Sequence, residues 1–355
     1  MRGDARGLEL EVGGVIAVDL GKMPAGLLLY MHMRHMPSDI YNRQKLSFPD
    51  ALESGDIQAI RACPKADLHT HGLANADRTY VFERTGRDIV PVATPLESMD
   101  GMHAWAQANI GNLFEGHAGR TLGIEASFVR AIKDGLTRIE FGDDVWMVTQ
   151  GLGSPENLVN SILTVHRRIA PQIEWIPQLG LSRHCKVELL QEWMAPWLEL
   201  GFHRVLDLSG DELAQPIEVF QPLYRAAKNK GMRLKAHVGE WGTADDVQRA
   251  VEVLELDEVQ HGIAAAQSPT VMRFLADHRI RLNICPTSNL LLGRVVRLED
   301  HPIRKLFDAG VRVTVNTDDV IVFGVNLSEE FLRLYQAGVF TASELDVIRR
   351  WALAD

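Results

Sequence analysis

The chain has 355 residues, of which 46% are hydrophobic, and a formal net charge of −10 at pH 7. This length and apolar content suffice for a large buried core and exclude an intrinsically disordered chain. The acidic balance disfavours nucleic acid and other polyanions, whose binding depends on clustered Lys and Arg. We therefore expect a small-molecule substrate and neither a nucleic-acid nor a membrane partner, and we leave a homo-oligomer open.

The three cysteines of the chain, Cys63, Cys185 and Cys285, form no Cys-x-x-Cys pair. An odd number without such a pair favours a reducing compartment and argues against a disulfide scaffold or a thiolate zinc finger. The N-terminus lacks the pattern of a signal peptide, and its longest apolar stretch, residues 25–33, is far shorter than the roughly 20 residues that span a bilayer. We expect a soluble, cytoplasmic protein.

Residues 1–64 carry no recognisable chemistry, and we predict that they form an N-terminal extension. A strand-and-helix appendage, a dimer contact and a partly ordered arm all remain open for it. From residue 65 to residue 355, β-rich runs alternate with amphipathic helical segments, which is typical of parallel strands joined by crossover helices. The predicted strands are residues 65–71, 136–144, 172–182, 203–209, 233–238, 258–262, 281–286 and 312–318. Eight such units predict an α/β fold, a (β/α)8 TIM barrel.

Three helices have clear sequence signals. One opens at Ser154-Pro155, a second covers residues 243–256 after a Thr cap, and a third covers 302–309 and ends at Gly310. Residues 72–120 are too long for an ordinary βα loop, so we predict extra helices inserted after the first strand as a lid over the barrel mouth. Extra packing without substrate contact is the alternative for this insertion.

The first chemical motif is Asp67-Leu-His69-Thr-His71. On a strand, residues two apart project from the same face, so both imidazoles can bind one ion. If this is the first barrel strand, its carboxyl end places them at the face where barrel active sites lie. The motif alone is weak, and the later motifs strengthen it.

Two further motifs end later strands. His237 closes Arg-Leu-Lys-Ala-His, and Glu240 follows after Gly239 has allowed the chain to turn, which puts a carboxylate beside a candidate ligand. A Glu in that place can carry protons between water and substrate. His261 ends the next strand as a ligand or, in a site with one metal, as the group that orients the attacking water.

Asp318 and Asp319 follow the last predicted strand in Asn316-Thr-Asp-Asp319. Adjacent carboxylates at a strand end are unfavourable unless a cation or hydrogen-bond donors satisfy them. We predict that one binds metal and its neighbour binds substrate, with a simple capping role as the alternative. Imidazole and carboxylate ligands from distant strands, with a spare Glu, are what a catalytic zinc requires.

Two kinds of metal site are disfavoured because the residues that they require are absent from the sequence. Neither the third nor the fourth predicted strand has the bridging lysine usual in dinuclear barrel hydrolases, so a single metal is favoured. The His-x-Glu and Pro-Cys-x-x-Cys motifs of the cytidine-deaminase type of zinc site are also absent. In Cys285-Pro286 the two residues run in the opposite order, and no second Cys follows.

The ordered motifs resemble the adenosine deaminase family of the amidohydrolase superfamily over residues 65–327. The motifs that carry the resemblance are Asp207-Leu-Ser-Gly-Asp-Glu212, His237-Val-Gly-Glu240, His261-Gly262, Cys285-Pro-Thr-Ser-Asn289, His301-Pro-Ile303 and Asn316-Thr-Asp-Asp319. The resemblance implies hydrolytic deamination of adenosine or a close 6-aminopurine nucleoside, with one Zn²⁺ per chain.

The resemblance also implies residue roles. The zinc ligands would be His69, His71, His237 and Asp318. Glu240 would protonate a ring nitrogen, His261 would orient the attacking water, and Asp318 would help to stabilise it. Gly210 would donate its backbone N–H to the purine, and Asp319 would contact the imidazole-ring nitrogen.

The sequence departs from the family pattern at positions that concern the substrate. After His71 the family usually continues with Leu, an often acidic residue and Gly, and then with a helix whose start helps to hold the sugar, whereas this chain reads Gly72-Leu-Ala-Asn-Ala-Asp77. Strand two reads Arg138-Ile-Glu-Phe-Gly-Asp-Asp144 in place of Glu-x-Arg. Free adenine, a modified adenine nucleoside and another amino-heterocycle such as a pterin therefore remain alternatives.

AMP is disfavoured because no cluster of Arg or Lys follows a strand, and Arg183-His184 is only a weak candidate. A non-catalytic binding protein on the same barrel is the remote alternative. Such a protein would be expected to have lost Glu240 or a ligand, and all of them are present.

Overall fold

A computed structural model describes residues 46–96 and 98–354 of the protein. Eight strands form one sheet in chain order, and each pair of neighbours is parallel. The strands are β1 Lys65–Asp67, β2 Leu136–Asp144, β3 Glu174–Ser182, β4 Val205–Ser209, β5 Arg233–Val238, β6 Glu258–His261, β7 Arg281–Ile284 and β8 Arg312–Val315.

The sheet closes between its last and first strands, just beyond their carboxyl ends. Thr70 and Asp318 form a parallel bridge there. The backbone N–H of Asp318 donates to the His69 carbonyl over 2.9 Å. The side-chain oxygen of Asn316 accepts from the Leu68 N–H over 2.8 Å. The predicted (β/α)8 barrel is therefore confirmed.

Helices alternate with the strands along the chain and pack outside them. Their bounds are α1 Phe48–Ser54, α2 Ile57–Arg61, α3 Arg78–Thr85, α4 Met99–Asn109, α5 Gly116–Lys133, α6 Pro155–Ile169, α7 Val187–Leu200, α8 Gln221–Asn229, α9 Ala244–Leu254, α10 Pro269–Asp277, α11 Pro286–Leu291, α12 Ile303–Asp308, α13 Val320–Phe323, α14 Leu327–Gln336 and α15 Ala342–Leu353. Short 3₁₀ helices cover Gly72–Asn75, Val145–Gln150, Ile217–Phe220, Ile263–Gln267 and Leu298–Asp300.

The predicted helix signals agree with the structure to within about two residues, the usual uncertainty of helix ends. α6 starts at Pro155 directly after Ser154. α9 begins with a capping box between Thr243 and Asp246. Within the described residues, no helix combines the length and apolarity needed to cross a bilayer.

Several predicted strands end earlier than expected. β1 was predicted to reach residue 71, and it stops at Asp67, so His69 and His71 lie beyond it. β6 and β8 stop near His261 and Asp318, which have φ angles of 62° and 60°. A positive φ takes a residue out of the extended conformation and therefore ends a strand.

β7 was predicted to reach residue 286, and it ends at Ile284 because Pro286 is the first residue of α11. Proline lacks the N–H that a strand ladder needs but suits the first position of a helix. The motif that follows is therefore carried on a helix that starts at the carboxyl end of the barrel.

The described part of the predicted N-terminal extension packs on the barrel. Phe48, Leu52 and Ile60 from α1 and α2 are buried in the same hydrophobic cluster as the barrel strands. The Phe48 ring contacts Phe331 of α14 with ring centroids 5.1 Å apart. Residues 1–45 of that extension lie outside the described part of the chain.

The insertion after β1 contains α3, α4 and the start of α5, and it packs in a second hydrophobic cluster. Members of that cluster include Val81, Ile89, Leu292, Ile321 and Phe323. Two of its backbone hydrogen bonds reach segments that follow β7 and β8, from Leu96 to Leu291 and from Val92 to Val322. The insertion thus lies at the carboxyl end of the barrel, and its role as a lid stays a prediction.

Candidate active site

Three imidazole rings meet at the carboxyl end of the barrel. His69 Nε2 lies 3.0 Å from His237 Nε2, and His237 Nε2 lies 3.2 Å from His71 Nε2. His69 and His237 are buried, and His71 is partly exposed. The loop after β1 and the end of β5 therefore bring together the three histidines predicted from the sequence.

A carboxylate completes this group. Asp318 Oδ1 lies 3.1 Å from His71 Nε2 and 3.9 Å from His69 Nε2. Its second oxygen, Oδ2, accepts a 2.6 Å hydrogen bond from the hydroxyl of Ser288 on α11. Asp318 adopts a left-handed backbone conformation. Strained backbone conformations of this kind concentrate at functional sites.

Two backbone carbonyls contact the Nδ1 atoms of His69 and His237 and so fix the direction of the lone pairs on the opposite ring nitrogens. His69 Nδ1 lies 2.9 Å from the Asn283 carbonyl, and His237 Nδ1 lies 3.1 Å from the Leu208 carbonyl. A carbonyl only accepts, so each neutral ring carries its proton on Nδ1 and leaves a lone pair on Nε2. Two such lone pairs face each other at 3.0 Å. A shared cation relieves that repulsion, and carbonyls or carboxylates behind histidines are usual in metal sites.

The separations suit one zinc ion. Zinc bonds nitrogen and oxygen at about 2.0–2.2 Å in tetrahedral sites, which places neighbouring donor atoms roughly 3.4 Å apart. Four of the six separations among the donor atoms of His69, His71, His237 and Asp318 are 3.0, 3.2, 3.1 and 3.9 Å. The three imidazoles form one donor group, and Asp318 belongs to two overlapping groups, with His71 and Asp319 and with His69, His261 and Cys285.

Glu240 and His261 lie beside the donors. Asn289 Nδ2 is 3.0 Å from Glu240 Oε1 and 3.1 Å from His261 Nδ1, so one amide orients both. Burial, together with the charges of Asp318 and Glu212, raises the pKa of Glu240 well above its usual range. A carboxyl group with a raised pKa holds its proton to higher pH than an exposed one, which suits proton transfer to a substrate.

His261 is buried, and its Nε2 lies 3.9 Å from Asp318 Oδ2. Burial and the neighbouring histidines His237 and His71 hold its pKa well below the usual range. The His261 ring is therefore neutral, and it lies beside both Asp318 and the cluster of donor histidines.

Gly210 and Asp319, the predicted substrate contacts, also lie at the carboxyl end of the barrel, after β4 and β8. Gly210 follows β4 with a φ of 93°, and a Cβ there would come within 2.6 Å of the His184 ring. Asp319 is buried, and its Oδ1 has no hydrogen-bond partner among the described residues. Burial and the charge of Asp318 raise its pKa to about 7. An unpaired acceptor in this position fits an N–H donor of a ligand.

A family model described as adenosine deaminase matches residues 202–354. The putative adenosine/adenine deaminase of Treponema pallidum (strain Nichols) is 33% identical over 295 residues, which cover 80% of this chain and 95% of that protein. The chain belongs to the adenosine/adenine deaminase family. It is thus a hydrolytic deaminase of the amidohydrolase superfamily, as the sequence motifs predicted.

Solved structures agree with the fold. The adenine deaminase from Arthrobacter aurescens superposes with a TM-score of 0.71 at 24% identity, covering 82% of this deaminase and 92% of that chain. An amidohydrolase from Burkholderia ambifaria with bound Zn gives a TM-score of 0.68 at 22% identity, covering 83% of this chain and 85% of that one. The family is metal-dependent, and the donor set of this deaminase fits that property.

Several residues that shape the deaminase site had no predicted role. Asp207 Oδ1 lies 3.3 Å behind His237 Nδ1. The Glu212 carboxylate accepts from the N–H groups of Gly239, Glu240 and Trp241 over 2.6, 3.0 and 2.7 Å, which fixes the turn that carries Glu240.

Ser288 and Asn289 also gained roles only from the structure, as the hydrogen-bond partners of Asp318 and Glu240. All four of these residues stand within the motifs that carried the family resemblance. The motifs signalled their importance, and only the fold shows which atom each one supports.

Proposed function

We propose that this enzyme catalyses the zinc-dependent hydrolytic deamination of adenosine or a closely related 6-aminopurine nucleoside. The products are the 6-oxo purine compound and ammonia. One observation carries this proposal: three imidazoles lie together at the barrel mouth, with the Asp318 carboxylate 3.1 Å from one of them, directly beside the buried Glu240 carboxyl group, whose pKa is raised.

His69, His71, His237 and Asp318 would hold one zinc ion per chain. When bound, zinc supplies Lewis acidity that lowers the pKa of a water molecule towards neutrality. The carbonyls of Asn283 and Leu208 keep the Nε2 atoms of His69 and His237 directed at the ion.

Glu240 would donate its proton to the ring nitrogen next to the amino-bearing carbon, which makes that carbon electrophilic. His261 and Asp318 orient the attacking water oxygen towards the same carbon. The new C–O bond forms there, the C–N bond to the amino group breaks, and the departing nitrogen leaves with added protons as ammonia. The water supplies the oxygen and, through Glu240, the protons.

Two further contacts would orient the base. Asp319 Oδ1, which lacks a partner among the described residues, would contact the imidazole half of the purine. The ring nitrogen of an adenine nucleoside has no N–H there and would accept a hydrogen bond from protonated Asp319, whereas a free base could donate from its N–H tautomer to ionised Asp319. The pKa near 7 leaves both states of Asp319 accessible. The backbone N–H of Gly210 donates to the other edge of the purine.

Free adenine is the second candidate substrate, and one observation favours it: the relative from Treponema pallidum is named a putative adenosine/adenine deaminase. The reaction at the amino-bearing carbon is the same for the base and the nucleoside. A modified adenine nucleoside or a pterin remains within the same chemistry.

Ammonia release by zinc-loaded protein against adenosine, 2′-deoxyadenosine, adenine, AMP, guanine and a 2-aminopterin tests the proposal. Adenosine or its deoxy form should be turned over fastest. Turnover of another member with adenosine inert would keep the reaction class and reject the nucleoside assignment. A protein that binds zinc and releases ammonia from none of them would contradict the proposed activity.

A further inference from the structure

A cavity of about 240 Å³ opens beside His71, between the carboxyl ends of the first three strands. Its walls include His71, Leu73, Asp144, Trp146, Gln178 and Gly180. Because His71 belongs to the donor cluster, a substrate held at that cluster can extend into this cavity. The proposed chemistry does not use any of the other wall residues.

Gln178 presents an unsatisfied acceptor to the cavity. The residue is 5% exposed, and its amide nitrogen lies 3.4 Å from Asp207 Oδ2. The amide oxygen Oε1 is buried and has no partner among the described residues. A buried acceptor without a donor is unfavourable, so this oxygen indicates a ligand that brings an O–H or N–H group.

Asp144 supplies a second acceptor from the end of β2. Burial raises the pKa of its carboxyl group to about 6, and a hydrogen bond from Trp146 is among the influences that oppose this rise. A carboxylate has about four acceptor positions, so one indole N–H leaves most of them available. A Cβ on Gly180 would lie 1.9 Å from Asp144 Oδ1, which shows that the carboxylate rests directly against that glycine.

The charges of the residues that line the cavity restrict which chemical group can bind there. No Lys or Arg is among the described residues that line the cavity. The nearest acidic neighbour, Asp143, already pairs with Arg120 over 2.7 Å. A phosphate placed here would face the Asp144 carboxylate with no Lys or Arg among the described lining residues to offset its charge, whereas hydroxyl groups would find two acceptors.

We infer that Asp144 and Gln178 determine substrate specificity by holding an uncharged, hydroxyl-bearing group attached to the purine, the sugar of a nucleoside. This inference rests on the proposed function for the position of the reacting ring.

The test compares zinc-loaded wild type, Asp144→Ala and Asp144→Asn in kcat/KM for adenosine, adenine and AMP. Loss of a hydrogen bond to a charged group should lower kcat/KM for adenosine roughly ten- to hundredfold in Asp144→Ala. Adenine should change by less than about threefold, because it does not reach the cavity. Asp144→Asn keeps one acceptor, so its kcat/KM for adenosine should lie between those of wild type and Asp144→Ala. Wild type should prefer adenosine to AMP.

Asp245→Asn is the matched control, because Asp245 is an exposed aspartate in the first turn of α9 and outside the cavity. Its kcat/KM should match wild type for all three compounds. Equal losses on adenosine and adenine in Asp144→Ala, no loss on either, or a preference of wild type for AMP would each overturn the inference.

Calorimetric titration with inosine and hypoxanthine, the deaminated forms of adenosine and adenine, separates this inference from the proposed function. Wild type should bind inosine more tightly than hypoxanthine, and Asp144→Ala should lose most of that difference. If no purine were deaminated, the proposed function would fail, and these titrations would still decide on the subsite. Equal binding of the two compounds by wild type would reject it.

Discussion

Two buried clusters of charge lie at opposite ends of the same barrel, and they differ in how their members are paired. Towards the amino ends of β5, β6 and β7, Glu140 contacts Arg233 and Lys235. Glu258 in the same cluster contacts Arg233, Lys235 and Arg281. Each of these carboxylates therefore has cations around it.

At the carboxyl end the arrangement is reversed. Imidazole lone pairs and the Asp318 carboxylate face one another, and Glu240 lies nearby with no Lys or Arg paired to it among the described residues. A buried group whose electrostatics are not satisfied within the protein is favourable only when something else satisfies it. We infer that the paired cluster stabilises the fold, whereas the unpaired cluster holds a metal ion and a substrate.

The same isosteric substitution in the two clusters gives the largest expected contrast. Glu240→Gln should lower kcat about 10²- to 10⁴-fold, because it preserves shape and removes the proton carrier. Zinc content and the free energy of unfolding should stay close to wild type, as Glu240 is neither a ligand nor part of an ion pair with a cation. Ammonia release, metal analysis and denaturant titration measure the three quantities. A turnover rate near wild type would show that Glu240 does not carry the proton.

Glu258→Gln should have the opposite profile. Removing this carboxylate takes one negative charge away from a buried cluster that holds the cations of Arg233, Lys235 and Arg281, which should cost about 3–5 kcal/mol of unfolding free energy. The folded variant should keep wild-type kcat and zinc content. Denaturant titration and kinetics of the folded fraction test this, and a variant as stable as wild type would contradict a stabilising role for the cluster.

The pH dependence of that difference follows from the sign of the pKa shift. Burial opposes ionisation, yet Lys235, Arg281 and Arg233 hold the pKa of Glu258 below its ordinary value of 4.5. The ionised carboxylate therefore contributes stability above about pH 4.5, and that contribution is lost as the pH falls through the lowered pKa. The stability gap between wild type and Glu258→Gln should shrink between pH 7 and about pH 3 in urea titrations. A constant gap would contradict this assignment.

A smaller effect is expected from Ser288→Ala, which removes the hydrogen bond to Asp318 Oδ2. Loss of such a supporting contact typically weakens metal binding roughly 10- to 100-fold. Ser328→Ala is the matched control, because Ser328 is also a buried serine but donates to the Asp134 carbonyl, far from the site. Zinc titration against a competing chelator should separate the two variants. Equal zinc affinities would remove Ser288 from the support of the site.

The order of motifs along the chain was enough to predict the barrel and the meeting of His69, His71, His237 and Asp318. Parallel strands in chain order place their carboxyl ends together, so residues at those ends must converge. The ends of the strands were less predictable. His261 and Asp318 adopt positive φ without being glycine, and no local preference of His or Asp signals this strongly.

Contacts between a side chain and a backbone atom far away in the chain could not be predicted from the sequence either. The Asn283 carbonyl that orients His69 is 214 residues away in the chain, and any residue type supplies a carbonyl. Asp144 ends a run that departs from the family pattern, and Gln178 belongs to no motif. Their common cavity exists only because β2 and β3 are neighbours in the barrel.

An anomalous-scattering map at the zinc edge, from crystals of zinc-loaded wild type and of Asp318→Ala, would locate the metal ion. The proposed ligand set predicts one peak per chain, about 2.0–2.2 Å from Nε2 of His69, His71 and His237 and from a carboxylate oxygen of Asp318. The peak should be weak or absent in the variant. A peak bound instead by His261 and Cys285, or full occupancy in Asp318→Ala, would contradict the ligand set.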